Sequence, residues 1–213
     1  MTRVIHVVDY GIGNLYSVAR AVEAVGGEVR LATRPEDIAR AGRLLLPGVG
    51  AFEPCMRTLS ESRLAEPVRE FARTGQPFLG ICVGMQLLFD YSLEFGRHEG
   101  LGLVAGHVAP IPPGDAAGER KVPHIGWSPL IRGAGRDWSG TVLDGEVEGK
   151  SSAYFVHSYS CVPADPAHVL AEVDHGGYRI CAGVQVENIT AFQCHPEKSG
   201  PVGLRILERF LAS

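Results

Sequence analysis

The chain has 213 residues, 45% hydrophobic and 21% charged, with a formal net charge of −4. That length can bury roughly 70% of the unfolded surface in one α/β domain without metal or disulfide staples. No apolar stretch approaches the roughly 20 residues of a bilayer span, and no Lys/Arg run offers the basic stripe that a nucleic-acid backbone requires.

The five cysteines, Cys55, Cys82, Cys161, Cys181 and Cys194, are odd in number and contain no C-x-x-C pair. A disulfide framework and a zinc ribbon are therefore not expected, and neither is any other metal or cofactor. The opening residues carry no long apolar region or small-residue cleavage site, which reads as a cytoplasmic protein.

In chain order, residues 4–8 read as an apolar strand and residues 14–25 as a helix. Leu15, Val18, Ala19, Val22 and Val25 fall on one helical face, Asn14 is placed to accept an N-terminal amide, and Gly26-Gly27 ends the run. The intervening Asp9-Tyr10-Gly11-Ile12-Gly13-Asn14 resembles a dinucleotide fingerprint only in part. Tyr16 stands where the third glycine belongs, and residues 28–33 end without an acidic ribose ligand, so this is read as a turn or a partner-facing loop. Further strands are expected at 29–32, 43–46 and 78–81, an alternation with helices that indicates a parallel sheet.

Two of these strands end in glycine-rich turns. After residues 43–46 comes Pro47-Gly48-Val49-Gly50, where an amide at Val49 or Gly50 could work with that of Val83 on a developing oxyanion. After residues 78–81 comes Gly80-Ile81-Cys82-Val83-Gly84, a strand-turn-helix elbow with cysteine at its apex, expected to lead into an amphipathic helix over residues 83–91. Its glycines avoid Cβ collisions, and a helix N-terminus at Cys82 would favour thiolate.

From Leu101 the pattern changes to short β-like runs at 102–110, 153–157, 169–173, 183–186 and 190–193, more antiparallel or mixed in character. Residues 110–118 and 132–140 read as exposed loops. A final helix over 201–211 needs the first-half sheet to pack against, so residues 1–213 are expected to be a single domain. Before that helix stands Gln193-Cys194-His195-Pro196-Glu197. Two residues apart in an extended segment, Glu197 can lie beside the His195 imidazole and fix its tautomer, giving Cys82 a base and an orienting carboxylate.

The elbow followed by Gln86, together with the late His-Pro-Glu, resembles the class I, or triad, glutamine amidotransferases. Within them the opening segment 9–15, the segment Gly48-Val49-Gly50-Ala51-Phe52, the segment Lys121-Val122-Pro123-His124-Ile125-Gly126-Trp127, the stretch 154–159 and Lys198-Ser199 are similar to glutaminase subunits of imidazole glycerol phosphate synthase. The resemblance implies a flavodoxin-like fold, with a mostly parallel central sheet flanked by helices and an added antiparallel β region. It implies hydrolysis of glutamine to glutamate and ammonia, and a heterodimer with a (β/α)8-barrel cyclase subunit that receives the ammonia. By the same resemblance Gln86 and Glu94 hold the amino-acid end of glutamine, and Asn14, Lys121, His124, Trp127, Tyr154 and Lys198 face the partner. Cys194, Ser128 and Cys161 depart from the usual pattern without touching the triad. The alternatives are a glutaminase serving another synthase (the pyridoxal phosphate, anthranilate or GMP pathway), a cysteine hydrolase of similar fold, or a redox-sensing thiol module.

Overall fold

The computed structural model describes residues 3–114 and 120–213. Much of the 110–118 loop therefore lies outside the described residues. The first half runs β1 (Arg3–Val8), α1 (Leu15–Ala24), β2 (Gly27–Ala32), α2 (Pro35–Ala39), β3 (Leu44–Leu46), α3 (Phe52–Glu61), α4 (Ala65–Ala72), β4 (Phe78–Ile81) and α5 (Val83–Gln86). Then follow β5 (Phe89–Ser92), β6 (His98–Glu99), β7 (Val104–Pro110), β8 (His124–Pro129), β9 (Ile131–Arg132), β10 (Ser152–His157), β11 (Tyr159–Pro163), β12 (Val169–His175), β13 (Tyr178–Val186), β14 (Ile189–Phe192) and α6 (Gly200–Ala212).

Eight strands form the main sheet in the order β2-β1-β3-β4-β14-β13-β12-β9. The first five are mutually parallel, and β13, β12 and β9 extend the sheet antiparallel. The chain moves from β1 to β2 in one direction and from β2 to β3 in the other. Right-handed crossovers then put α1 on one face and α2, α3 and α4 on the opposite face. The order reverses beside β1, and in open sheets of this kind ligands bind beyond the carboxyl ends of the strands near such a reversal. β3, β4 and β14 are consecutive neighbours, so the turns that follow them converge at one edge.

Sequence expectation and structure agree on these strands, on α1 with its Asn14 cap to Ser17 N at 3.2 Å, and on the last helix. They differ after the elbow. The helix expected over 83–91 is the single turn Val83–Gln86, buried on every side, and residues 89–92 return as β5. Leu87, Leu88 and Phe89 are all fully buried and leave no polar position for a helical stripe there, and so the chain can leave the helix early to add a strand to the small sheet β11-β7-β5-β6.

The stretch 132–140 is not simply an exposed loop. Trp138 is fully buried, with its indole N–H donating to the Leu170 carbonyl at 2.9 Å. The continuation is tied to α6 by Glu146, whose buried carboxylate accepts from Arg205 at 2.6 and 2.7 Å and from Arg209 at 2.9 Å. Burial alone would raise this carboxyl, but the two guanidiniums and the Ser151 hydroxyl hold it down at about 2. A carboxyl depressed on folding contributes stability above its unfolded value near 4.5, and that stability is lost as pH falls toward about 2. Because both arginines are partly exposed, Glu146→Gln is expected to cost about 2 kcal/mol at pH 7. Urea midpoints of the two proteins should then converge below pH 4.5, and a gap independent of pH would reject this origin.

Candidate active site

Cys82 occupies the apex between β4 and α5 with φ 56° and ψ −116°, a left-handed conformation that a residue bearing a Cβ adopts only when its surroundings impose it. What imposes it is the contact between two turns. A Cβ on Gly84 would lie 2.0 Å from the Leu46 carbonyl oxygen, and one on Gly48 would lie 2.7 Å from the Gly84 amide. Glycine at both positions lets the β3 turn press against the elbow. Gly80 is merely tight, its would-be Cβ meeting the Ala191 side chain at 3.0 Å. Since α5 has four residues, the dipole of a long helix is not available to the sulfur. Local amides and neighbouring side chains are what remain.

His195 follows β14, and its Nδ1 lies 2.8 Å from Glu197 Oε1, with both side chains nearly inaccessible. Glu197 reaches the ring from the 3-10 turn Pro196–Lys198 rather than from the extended segment expected. That turn is held by Ser199, fully buried, whose hydroxyl donates to the His195 carbonyl at 2.7 Å and accepts from Tyr154 N at 2.9 Å. The His195 amide in turn donates to the Tyr154 carbonyl at 3.0 Å. Burial would lower the imidazole pKa, but Cys82 and Glu197 together outweigh it and raise His195 to about 10. The ring is thus held in its protonated form by the Cys82 and Glu197 groups on either side of it. Among the described residues the second Glu197 oxygen is buried without a hydrogen-bond partner, while the first is held by the His195 ring.

Cys82, Val83, His195, Val49, Gly50, Gln86, Glu94 and Lys198 line a single pocket of about 390 Å³, together with His157, Ser158 and Tyr159. The residues expected for the oxyanion and for glutamine thus share one pocket with Cys82 and His195, while Glu197 does not line it and reaches it only through the His195 ring. The β3 turn is braced by Tyr10, which donates to the Pro47 carbonyl at 2.9 Å, and by the Cys55 thiol on the Val49 carbonyl at 3.2 Å. Glu94 also closes the start of α3, accepting from Phe52 N at 2.6 Å, a role the sequence did not suggest.

Gln193 was not singled out in the sequence, yet it is fully buried with its amide nitrogen 3.9 Å from the Cys82 sulfur and its oxygen 3.0 Å from Gln86 Nε2. Its place directly after β14 and two residues before the base was the available signal. The departures from the resembled pattern prove inert or structural. Burial pushes the Cys55, Cys161, Cys181 and Cys194 thiols up, Cys181 to about 12, which leaves them poor nucleophiles.

The residues expected to face a partner separate into two groups. Trp127 is 57% exposed and packs edge-on against half-buried Tyr154 at 6.1 Å, with Lys121 and Lys198 exposed nearby in sequence or at the pocket rim. Asn14 is half-buried with its side-chain oxygen committed to capping α1. His124 is a correction: it is buried, bonded to His157 at 2.9 Å and to Ser128 at 2.8 Å, and cannot touch a partner. Along β8 the side chains alternate, so a motif that presents Ile125 and Trp127 outward must turn His124 and Ser128 inward.

Comparison with known proteins agrees with this geometry. The family model described as glutamine amidotransferase class-I matches residues 6–213. The chain is 48% identical over 209 residues, 97% of its length and 98% of the relative's, to imidazole glycerol phosphate synthase subunit HisH 1 of Legionella pneumophila (strain Lens). It is 45% identical over 208 residues to the HisH subunit of Aquifex aeolicus, covering 96% of this chain and 94% of that one. Among solved structures, PurLQS from Thermotoga maritima superposes with a TM-score of 0.70 at 21% identity, over 100% of this chain and 98% of that one. A crystal structure described as a glutamine amidotransferase gives 0.73 at 17%, over 98% and 99%. At those identities the likeness is one of fold.

Proposed function

The chain belongs to the class I glutamine amidotransferase family, and we propose that it hydrolyses glutamine through Cys82, His195 and Glu197 and passes the ammonia to a separate cyclase subunit. It is the glutaminase subunit of imidazole glycerol phosphate synthase, acting in histidine biosynthesis. The observation that carries the chemistry is the elbow cysteine sharing one pocket with a histidine whose other nitrogen is held by a buried carboxylate. We read the whole chain, 1–213, as one glutamine amidotransferase domain.

The Cys82 thiolate adds to the side-chain amide carbon of glutamine, and the oxyanion is met by amides of Val49 or Gly50 and Val83. Collapse of this adduct breaks the C–N bond as the His195 imidazolium gives its proton to the departing ammonia, leaving a thioester. His195, now neutral, takes a proton from water, which attacks the thioester and releases glutamate and the thiolate. Glu197 keeps the tautomer and stabilises the charged ring in both steps. Gln86 and Glu94 fix the amino-acid end of the substrate. No cofactor takes part.

The partner is a (β/α)8-barrel cyclase docking as a heterodimer on the face that carries Trp127, Tyr154, Lys121 and Lys198. A large exposed aromatic packed on half-buried Tyr154 is the kind of anchor such interfaces use. Five cysteines without a disulfide suit a reducing, cytoplasmic setting, and among the described residues no helix is long and apolar enough to cross a membrane. Glutamate release should therefore rise by at least about tenfold when the purified cyclase is added with its nucleotide ligand. Turnover indifferent to the cyclase would point to another synthase, and absence of turnover under every condition would reject the glutaminase itself.

A further inference from the structure

His124 and His157 are both buried on the side of β8 and β10 away from solvent, and neither belongs to the triad. With both rings neutral, their hydrogen bonds allow one assignment of protons. His157 Nδ1 lies 2.8 Å from the Tyr159 carbonyl, which can only accept, so Nδ1 carries the proton and Nε2 is an acceptor. His124 Nδ1, 2.9 Å from that Nε2, must then donate. His124 Nε2 is left to accept from the Ser128 hydroxyl at 2.8 Å. The direction of donation thus runs from Ser128 through His124 and His157 to one backbone oxygen.

That oxygen is part of the pocket. The Tyr159 carbonyl also accepts from Gln86 Nε2 at 3.3 Å, and the same nitrogen donates to Gln193 Oε1 at 3.0 Å. Gln193 Nε2 faces the Cys82 sulfur at 3.9 Å. A continuous polar chain therefore leads from the inner side of β8 to the nucleophile, and the outer side of that strand carries exposed Ile125 and Trp127. We propose that His124 is a positioning residue for glutamine: it fixes the His157 tautomer, and through it the Tyr159 carbonyl and the Gln86 amide that shape the substrate pocket.

The surroundings support neutral rings, which the chain needs. Burial and the neighbouring His175 ring push His124 down to about 4. Burial, with His124, His175 and His195 nearby, pushes His157 to about 3 against the opposing pull of the Tyr159 carbonyl. The His175 ring sits 4.2 Å from His124, with its Nε2 on the Lys121 carbonyl, and closes the group without joining the chain. Stacking of His124 on Phe155 at 5.0 Å keeps the ring in plane for the hand-over to His157.

The proposal rests on glutamine as the substrate, and its test has one arm that does not. In the complex with the cyclase, His124→Phe keeps the ring packing but removes the donor, and should raise KM for glutamine roughly tenfold while kcat stays within about threefold. His124→Asn, whose amide can donate in place of Nδ1, should recover most of that loss. Independently, nitrogen-15 spectra of the wild type should find His157 protonated at Nδ1 and unprotonated at Nε2. A His157 protonated at Nε2, an unchanged KM in a folded His124→Phe, or an asparagine variant as impaired as phenylalanine would each overturn the assignment. If the wild type released no glutamate, the substrate reading would fail, while the tautomer measurement would still decide the chain.

Discussion

Glutamate release is expected to fall by about 10⁴- to 10⁶-fold when Cys82 is replaced by alanine, and by a similar factor in His195→Asn, because neither group can perform its step without the other. The diagnostic result is the double variant, which should be no worse than either single one. Multiplying losses would mean that the two act independently and would remove the thiolate–imidazolium pair from the mechanism. Glu197→Gln should cost less, about 10²- to 10⁴-fold, since an amide oxygen can still accept from Nδ1 but brings no charge.

The same pair sets a pH dependence with a definite sign. His195 is raised by Cys82 and Glu197 to about 10, so the proton it gives to ammonia is present across the neutral range and is lost as pH climbs through that value. In stability terms the pairing is fully present below the unfolded pKa of 6.5 and vanishes on the alkaline side. The rate of thioester formation, followed as ammonia release, should show an alkaline limb near pH 10. In Glu197→Gln one of the two groups that raise His195 loses its charge, and the limb should move to lower pH. A limb that stays in place would show that Glu197 orients the ring without charging it.

Much of this site could be read from the sequence because its chemistry is local there. The elbow needs Gly80, Cys82 and Gly84 within five residues, and His195 and Glu197 lie within three, so spacing alone exposes them. The parallel strands were legible as uninterrupted apolar runs, as at Leu44–Leu46 and Phe78–Ile81. Helices α3 and α4 were not, because Pro54 and Pro67 interrupt their helical pattern. Both sit at the third helical position, where the missing N–H has no intrahelical acceptor to serve, so the helices tolerate them. The inner polar chain was hidden for another reason. Whether His124 faces a partner or the core depends on which side of β8 packs down, and that is decided by β10, a strand more than twenty residues away.

Replacing Gly84 by alanine should be severely damaging, costing more than about 3 kcal/mol or preventing folding altogether. The added Cβ would sit 2.0 Å from the Leu46 carbonyl oxygen and 2.8 Å from the carbonyl carbon, and neither atom can turn aside as a side-chain tip could. Relief requires β3 and β4 to part, yet they are hydrogen-bonded neighbours in the centre of the sheet. The strain at Cys82 is a different quantity, because its cost is conformational and not a clash. Cys82→Gly should therefore be more stable than Cys82→Ala by about 1 kcal/mol, although both are inactive. Gly42→Ala, with open space at its Cβ, provides the control and should lie within about 1 kcal/mol of wild type. Urea denaturation of the four variants separates these costs. A Gly84→Ala protein as stable as the control would mean that the β3 turn and the elbow are not pressed together, and the shared oxyanion site of Val49, Gly50 and Val83 would lose its structural basis.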